Sequence, residues 1–82
     1  MNETTKPMSR ETAGQIILQY LQKHKQIFYR NKKIRGHLGL TQGNVLHGSR
    51  WLHEQGYIRK WNGKQGPWEY IGEEAKKWER KL

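Results

Sequence analysis

The sequence predicts an α+β domain in which three helices precede a β-hairpin and one more helix follows it. Three observations predict this class. Apolar residues recur at helical spacing in three segments up to residue 55, glycine follows the second and third of these segments, and two short aromatic-rich segments with alternating side chains come next. We expect residues 1–8 to form a flexible N-terminus and residues 9–82 to form one domain.

The first helix is predicted to begin after Ser9 and to run to about Lys25. Ser9 is a suitable N-cap, and Glu11 suits the positive end of the helix dipole. Leu18 lies off the apolar stripe of this helix and is therefore expected on its outer side. The stripe itself follows spacings of three and four residues: Ala13, Ile16, Ile17, Tyr20, Leu21 and His24.

A short extended segment, residues 27–29, is predicted to add a third strand to the hairpin. Asn31 is predicted to cap the second helix, whose inner face carries Ile34 and Leu38, four residues apart. Gly39 can take the left-handed conformation that ends this helix.

The third helix is predicted over residues 41–55, with Thr41 as its N-cap and Gly56 as its stop. Its inner face carries Val45, Ser49 and Leu52. Gly43 and Gly48 are unfavourable inside a helix, so we expect them where backbone approaches a phosphate or a neighbouring helix.

The hairpin is predicted over residues 57–71, with strands at 57–61 and 68–71 and a glycine-rich turn between them. A last helix follows Gly72 and carries Ala75, Trp78 and Leu82 at spacings of three and four. The predicted core contains Ile16, Ile17, Leu21, Ile34, Leu38, Val45, Leu52, Ile58 and Ile71.

Composition limits the classes of function. The 82 residues suffice for one small core but leave no room for a deep substrate cavity, and the chain has no cysteine for disulfides or thiolate metal sites. No apolar run reaches the ~20 residues of a membrane span, and the polar N-terminus is not a secretory signal. We therefore expect a cytoplasmic protein. The formal charge of +9, spread along the chain, favours a polyanionic partner.

Residues 40–45 (LTQGNV), 51–58 (WLHEQGYI) and 70–75 (YIGEEA) carry a family resemblance. They resemble the recognition helix, the strand that follows it and the run into the last helix of minimal MarR-like and ArsR-like transcriptional regulators. The resemblance implies a winged helix-turn-helix: a three-helix core with a β-hairpin wing and a C-terminal helix. It departs at Ser49, where the family has a bulky apolar residue, and in lacking long dimerisation helices.

For this fold the third helix is expected to enter the major groove of duplex DNA. Asn and Gln can pair with adenine, Arg with guanine, and an apolar side chain can touch a thymine methyl. Trp51 is expected on the same exposed face of the third helix. The alternative is that the polar residues of this face contact only solvent. The predicted base-reading residues are Gln42, Asn44, Leu46, His47 and Arg50.

The wing and the second helix are expected to contact the DNA backbone or the minor groove. Lys60 could instead pair across the strands with Glu69. Trp61 and Trp68 could stack on exposed bases, but a cross-strand cluster that packs against the third helix is favoured. The predicted backbone-contacting residues are Lys32, Lys33, Arg35, Thr41, Arg59, Lys60, Asn62, Lys64 and Gln65.

Catalysis has little support, because no carboxylate pair and no nucleophile with a base stands out. The histidine spacing suggests no metal site, and no cofactor or small-molecule ligand is expected. The sequence thus predicts a DNA-binding regulator, nucleoid-associated if bacterial or archaeal; the alternative is a winged-helix module for a protein partner or RNA. We also expect a homodimer through the terminal helices, using Leu18, Trp78 and Leu82. The rival arrangement is a monomer in which Trp78 folds back onto the first helix.

Overall fold

The computed structural model describes residues 8–61, 63 and 66–80. The part of the chain so described is an α+β domain with three α-helices and one three-stranded antiparallel sheet, which confirms the predicted class. The elements in chain order are α1 (Arg10–His24), β1 (Phe28–Tyr29), α2 (Asn31–Leu38), α3 (Gln42–Glu54), β2 (Ile58–Lys60), β3 (Trp68–Tyr70) and a 3₁₀ helix (Glu73–Lys77).

Helix α1 begins as predicted, because the Ser9 hydroxyl accepts a hydrogen bond from the Thr12 backbone N–H at 3.0 Å. Its buried face differs from the expected stripe, since Ile16 is only half-buried. Leu18 is 7% exposed, so its expected position on the outer side is wrong. The buried face is rotated towards Gly14 and Leu18 because α3 crosses α1 on that side.

The crossing of α1 and α3 is unusually close. A β-carbon at Gly48 would lie 2.9 Å from the carbonyl carbon of Ala13 and the nitrogen of Gly14. A β-carbon at Gly14 would in turn collide with the indole of Trp51. Gly48 therefore lets a neighbouring helix approach, one of its two predicted uses, whereas a β-carbon at Gly43 would meet open space.

Helix α2 does not begin as predicted. Arg30 occupies the N-cap position and Asn31 is the first helical residue, so the expected capping role of Asn31 is wrong. The Asn31 side chain instead accepts a hydrogen bond from the Ser49 hydroxyl of α3. The helix ends at Gly39 with φ 67°, as predicted, and its inner side buries Ile34 while Leu38 is half-buried.

Helix α3 is capped by Thr41, whose hydroxyl accepts from the Asn44 backbone N–H at 3.1 Å. Val45, Ser49 and Leu52 are buried on its inner face, as predicted. The helix therefore stands with one side against α1 and the other towards solvent.

The sheet has the order β1-β3-β2, so the predicted third strand is present and lies beside β3. The registers pair Phe28 with Glu69 and Arg59 with Glu69. Tyr70 is buried in the core, and strand alternation then turns Ile71 outward, where it is 42% exposed. The expected core position of Ile71 is therefore wrong.

After β3 the chain forms a five-residue 3₁₀ helix in place of the predicted α-helix. The backbone becomes extended at Trp78, which lays its indole on the Tyr70 ring with centroids 5.4 Å apart. Trp78 thus folds back onto the sheet. With Leu18 buried, Trp78 stacked and Leu82 outside the described residues, the terminal surface expected for a homodimer is much reduced, and two-fold pairing stays a prediction.

Candidate nucleic-acid interface

The solvent side of α3 carries four of the five residues predicted to read bases. Gln42, Leu46, His47 and Arg50 are all exposed, with Leu46 at 40%. Their spacing of four, one and three residues places them on one side of the helix. The structure therefore brings these four side chains together where a groove-reading helix requires them, and their contact with bases stays a prediction.

Asn44 does not belong to that side. It is 4% exposed, and its side-chain oxygen accepts a hydrogen bond from the Met8 backbone N–H at 3.3 Å. The chain that enters α1 thus covers this position, and the expected place of Asn44 on the outer face is wrong. Trp51, expected on the same face, is half-buried against Gly14 and lies 6.2 Å from the Tyr57 ring.

A groove of about 390 Å³ separates α2 from α3. Two cationic, two amide and two apolar side chains line it, and among the described residues no carboxylate does. Thr41 is half-buried at the start of α3, where it serves as the cap, and Lys33 faces a different depression beside His37. The groove residues are Asn31, Lys32, Arg35, Gln42, Val45 and Leu46.

The surface around this groove is strongly cationic because of how charge is distributed along the chain. No Asp or Glu occurs between Glu11 and Glu54. Both α2 and α3 as far as His53 therefore lack a carboxylate of their own. In the described part of the chain, Arg50 forms no ion pair with a carboxylate. The basic residues of this acid-free stretch are Lys23, Lys25, Arg30, Lys32, Lys33, Arg35 and Arg50.

The outer face of the sheet has the opposite character. The Glu69 carboxylate is buried, and Arg59 Nε donates to one of its oxygens at 2.6 Å while Arg80 donates to the other. Burial raises the pKa of Glu69, but the hydrogen bonds and charges of Arg80 and Arg59 outweigh it and leave the pKa below its ordinary value. Arg59 is therefore exposed to solvent, but its guanidinium already binds the carboxylate of Glu69.

Other wing residues also differ from expectation. Arg59 pairs with Glu69, and Lys60 lies over the Trp68 ring at 4.2 Å. The alternative in which Lys60 pairs with Glu69 is therefore wrong, and the contact of Lys60 with the DNA backbone stays a prediction. The predicted contacts Asn62, Lys64 and Gln65 lie outside the described residues.

Trp61 and Trp68 do not form the expected cross-strand cluster. Trp61 packs edge-on against Phe28 at 5.2 Å, whereas Trp68 lies 5.4 Å from His53 of α3. Register and alternation place Phe28 and Trp68 on opposite faces of the sheet. Only Trp68 therefore packs against α3, and its indole N–H is buried with no hydrogen-bond partner among the described residues.

Sequence reasoning missed a buried polar chain beneath the groove. Ser49 donates to the side-chain oxygen of Asn31 at 2.9 Å and lies 2.9 Å from the Tyr29 hydroxyl. Burial raises the pKa of Tyr29 far above its ordinary value. The serine at a core position of α3 was the signal, because a buried hydroxyl requires polar partners.

None of the helices in the described ranges is long and apolar enough to cross a membrane. Over the same ranges, no three His or acidic side chains are grouped as ligands for a metal ion. No family model, curated protein or solved structure matches the chain.

Proposed function

We propose that this protein is a sequence-specific duplex-DNA-binding protein, a small transcriptional regulator of winged-helix type. Helix α3 enters the major groove, and α2 and the hairpin follow the phosphate backbone. The observation that carries the proposal is the solvent side of α3, where exposed groups able to read bases stand on an acid-free, cationic surface.

The spacing of the exposed side chains suits a base-reading helix. Gln42, Leu46 and Arg50 follow one another at four-residue intervals, which span about 12 Å at a rise of 1.5 Å per residue. That length covers roughly three to four base steps. In this arrangement Arg50 pairs with guanine, Gln42 with adenine, and Leu46 meets a thymine methyl, while His47 contacts a neighbouring base or phosphate.

The cations of α2 supply the affinity that does not depend on sequence. Lys32 and Arg35 line the groove beside α3, and Lys33 is exposed on the same helix. Each phosphate neutralised releases counterions, so binding should weaken steeply as salt rises. Arg59 contributes less than expected from sequence, because Glu69 already holds it.

The packing of the aromatic residues favours duplex DNA over single strands or RNA. Stacking on unpaired bases needs exposed aromatic faces. Trp51 and Trp78 instead pack against the domain, and Trp68 is buried. This packing favours duplex DNA over the alternative of an RNA-binding or protein-binding module, for which Tyr57 remains as an exposed aromatic side chain.

The test is selection from a randomised duplex library, followed by titration of Arg50→Ala on the selected and on a random duplex. Arg50→Ala should lose about 1–3 kcal/mol of binding free energy on the selected duplex and little on the random one. Lys77→Ala, which removes an exposed charge from the acid-rich C-terminal segment, is the matched control and should change neither.

Equal losses on both duplexes would show that Arg50 contacts phosphate. Competition by RNA or single-stranded DNA at equal concentration, or no duplex binding at low salt, would contradict the proposal. The same titration gives the number of protein copies per duplex, which tests the expected two-fold pairing.

A further inference from the structure

We propose that Asn31 is a phosphate-binding residue, whose amide N–H groups are turned into the groove between α2 and α3 by the buried hydroxyls of Ser49 and Tyr29. The proposal adds a phosphate contact to the proposed function, and it rests on that function where the phosphate is part of DNA. In this proposal Asn31 contacts the ligand, and Ser49 and Tyr29 are positioning residues that orient the Asn31 amide.

The three side chains form one continuous chain of hydrogen bonds. The Tyr29 hydroxyl lies 2.9 Å from Ser49 Oγ, and Ser49 Oγ lies 2.9 Å from Asn31 Oδ1. Ser49 is completely buried and Tyr29 is 5% exposed, so water cannot readily replace either partner. Asn31 stands at the outer end, half-buried, where it lines the groove.

The direction of the chain follows from counting protons. A serine hydroxyl carries one proton, and that of Ser49 is donated to the Asn31 oxygen. The Tyr29 hydroxyl must therefore be the donor in its bond to Ser49. Because burial raises the pKa of Tyr29, it keeps this proton at every pH at which the protein would work.

The hydrogen bond from Ser49 determines which groups of the Asn31 amide can bind a ligand. Its oxygen is occupied by Ser49, so the two N–H groups are what it can offer to a ligand. Among the described residues, these N–H groups have no hydrogen-bond partner. The protein interior thus fixes the orientation of an amide that would otherwise be free to flip.

The neighbours of Asn31 in the groove also donate. Lys32 and Arg35 carry positive charge and have no acceptor, and Gln42 adds a second amide. Since no carboxylate of the described residues lines the groove, the groove suits a ligand that accepts hydrogen bonds and carries negative charge. A phosphate group, with several strong acceptor oxygens, meets both requirements.

The decisive variant is Asn31→Asp, with Gln15→Glu as its matched control. Asn31→Asp keeps an oxygen to accept from Ser49 and replaces the outward N–H groups with a second oxygen. Gln15, exposed on α1, undergoes the same change from amide to carboxylate, so both variants lose the same net charge. We expect Asn31→Asp to bind duplex DNA at least tenfold more weakly than Gln15→Glu, by the same factor on a selected and a random duplex.

Two outcomes of that comparison would overturn the proposal. Equal affinities for the two variants would mean that Asn31 makes no phosphate contact. A loss confined to the selected duplex would mean that Asn31 reads a base.

The positioning role is tested with Ser49→Ala, studied at a temperature where its backbone spectrum shows it folded. Its Asn31 amide is no longer oriented, so affinity should fall about threefold to tenfold on every duplex while the salt dependence stays unchanged. An affinity equal to that of the unaltered protein would show that Ser49 only fills space.

A direct readout separates this proposal from the function on which it rests. The Asn31 side-chain N–H₂ signals of the ¹⁵N-labelled protein should move when duplex DNA is added, and separately when inorganic phosphate is added. Movement with inorganic phosphate, in a protein that binds no duplex, would leave the site standing with free phosphate as its ligand. Duplex binding with the expected Arg50→Ala loss, but stationary Asn31 signals in both titrations, would overturn the site and leave the proposed function intact.

Discussion

Two of the arginine-bearing surfaces of this domain differ in the groups that lie beside the guanidinium. On the outer face of the sheet, Arg59 and Arg80 both hydrogen-bond to the buried carboxylate of Glu69. Arg80 also lies over the Phe28 ring at 5.2 Å. On the solvent side of α3, Arg50 is exposed in a stretch that contains no acidic residue.

This difference shows why net charge is a poor guide to a binding surface. The same residue type stabilises the fold where a buried carboxylate faces it, and is available to a partner where none does. The charge of +9 counts both kinds alike. Substitutions of Glu69 and its arginine partners should therefore alter stability, and substitutions on the solvent side of α3 should alter binding.

The largest effect is expected from Glu69→Ala. Removing the carboxylate breaks two charge-assisted hydrogen bonds, and the half-exposed arginines regain water, so we expect the free energy of unfolding to fall by about 2–3 kcal/mol. Urea denaturation measures this. Glu73→Ala is the control, since Glu73 pairs with Lys76 at the exposed surface and should cost less than about 1 kcal/mol. Equal effects of the two changes would mean that the buried carboxylate of Glu69 stabilises the fold no more than an exposed one, which would contradict the contrast between the two surfaces.

A smaller effect is expected from Asn44→Ala. This change removes the acceptor for the Met8 backbone N–H, which should lower the free energy of unfolding by about 1 kcal/mol and leave base preference unaltered. Gln42→Ala, at an exposed position of the same turn, should change base preference and leave the free energy of unfolding nearly unaltered. A changed base preference in folded Asn44→Ala protein would contradict the assignment of Asn44 to the interior.

The smallest effect is expected from pH. Burial raises the pKa of Glu69, but the two arginines outweigh burial and leave the pKa below its ordinary value of 4.5, so an unfolded chain takes up protons first as the pH falls. The stability that Glu69 contributes is therefore complete above about pH 4.5 and is lost as the pH falls through the lower pKa of the folded state.

Glu69→Gln should flatten the curve of unfolding free energy against pH below that value. Some slope should remain, because a hydrogen bond from Tyr70 also lowers the pKa of Glu74. An unchanged slope in Glu69→Gln would show that the carboxylate is not coupled to folding.

Local signals predicted the backbone of this fold well. Ser9 and Thr41 cap α1 and α3 through their hydroxyls, and Gly39 has the left-handed conformation expected at a helix end. These features depend on neighbours a few residues away, so the sequence contains all the information they need. The solvent side of α3 was likewise predicted at Gln42, Leu46, His47 and Arg50, because helical spacing alone assigns it.

The predictions that were wrong concern residues whose surroundings depend on contacts between distant segments. Asn44 is covered by Met8, 36 residues away, and helical spacing contains no information about that cover. Leu18 is buried on the side of α1 that carries Gly14, where α1 closely approaches α3. From the sequence, Lys60 was considered as a partner of Glu69, but the register between β2 and β3 places Arg59 opposite Glu69.

The close approach at Gly48 has a consequence for motion. Because Ala13 leaves no space for even one added carbon there, α3 cannot slide or roll on α1 without breaking a close-packed contact. We therefore expect these two helices to adjust to a partner's shape by reorienting together and by side-chain rotation on the solvent side of α3. The two helices should dock as a rigid body, with little induced fit in their backbones.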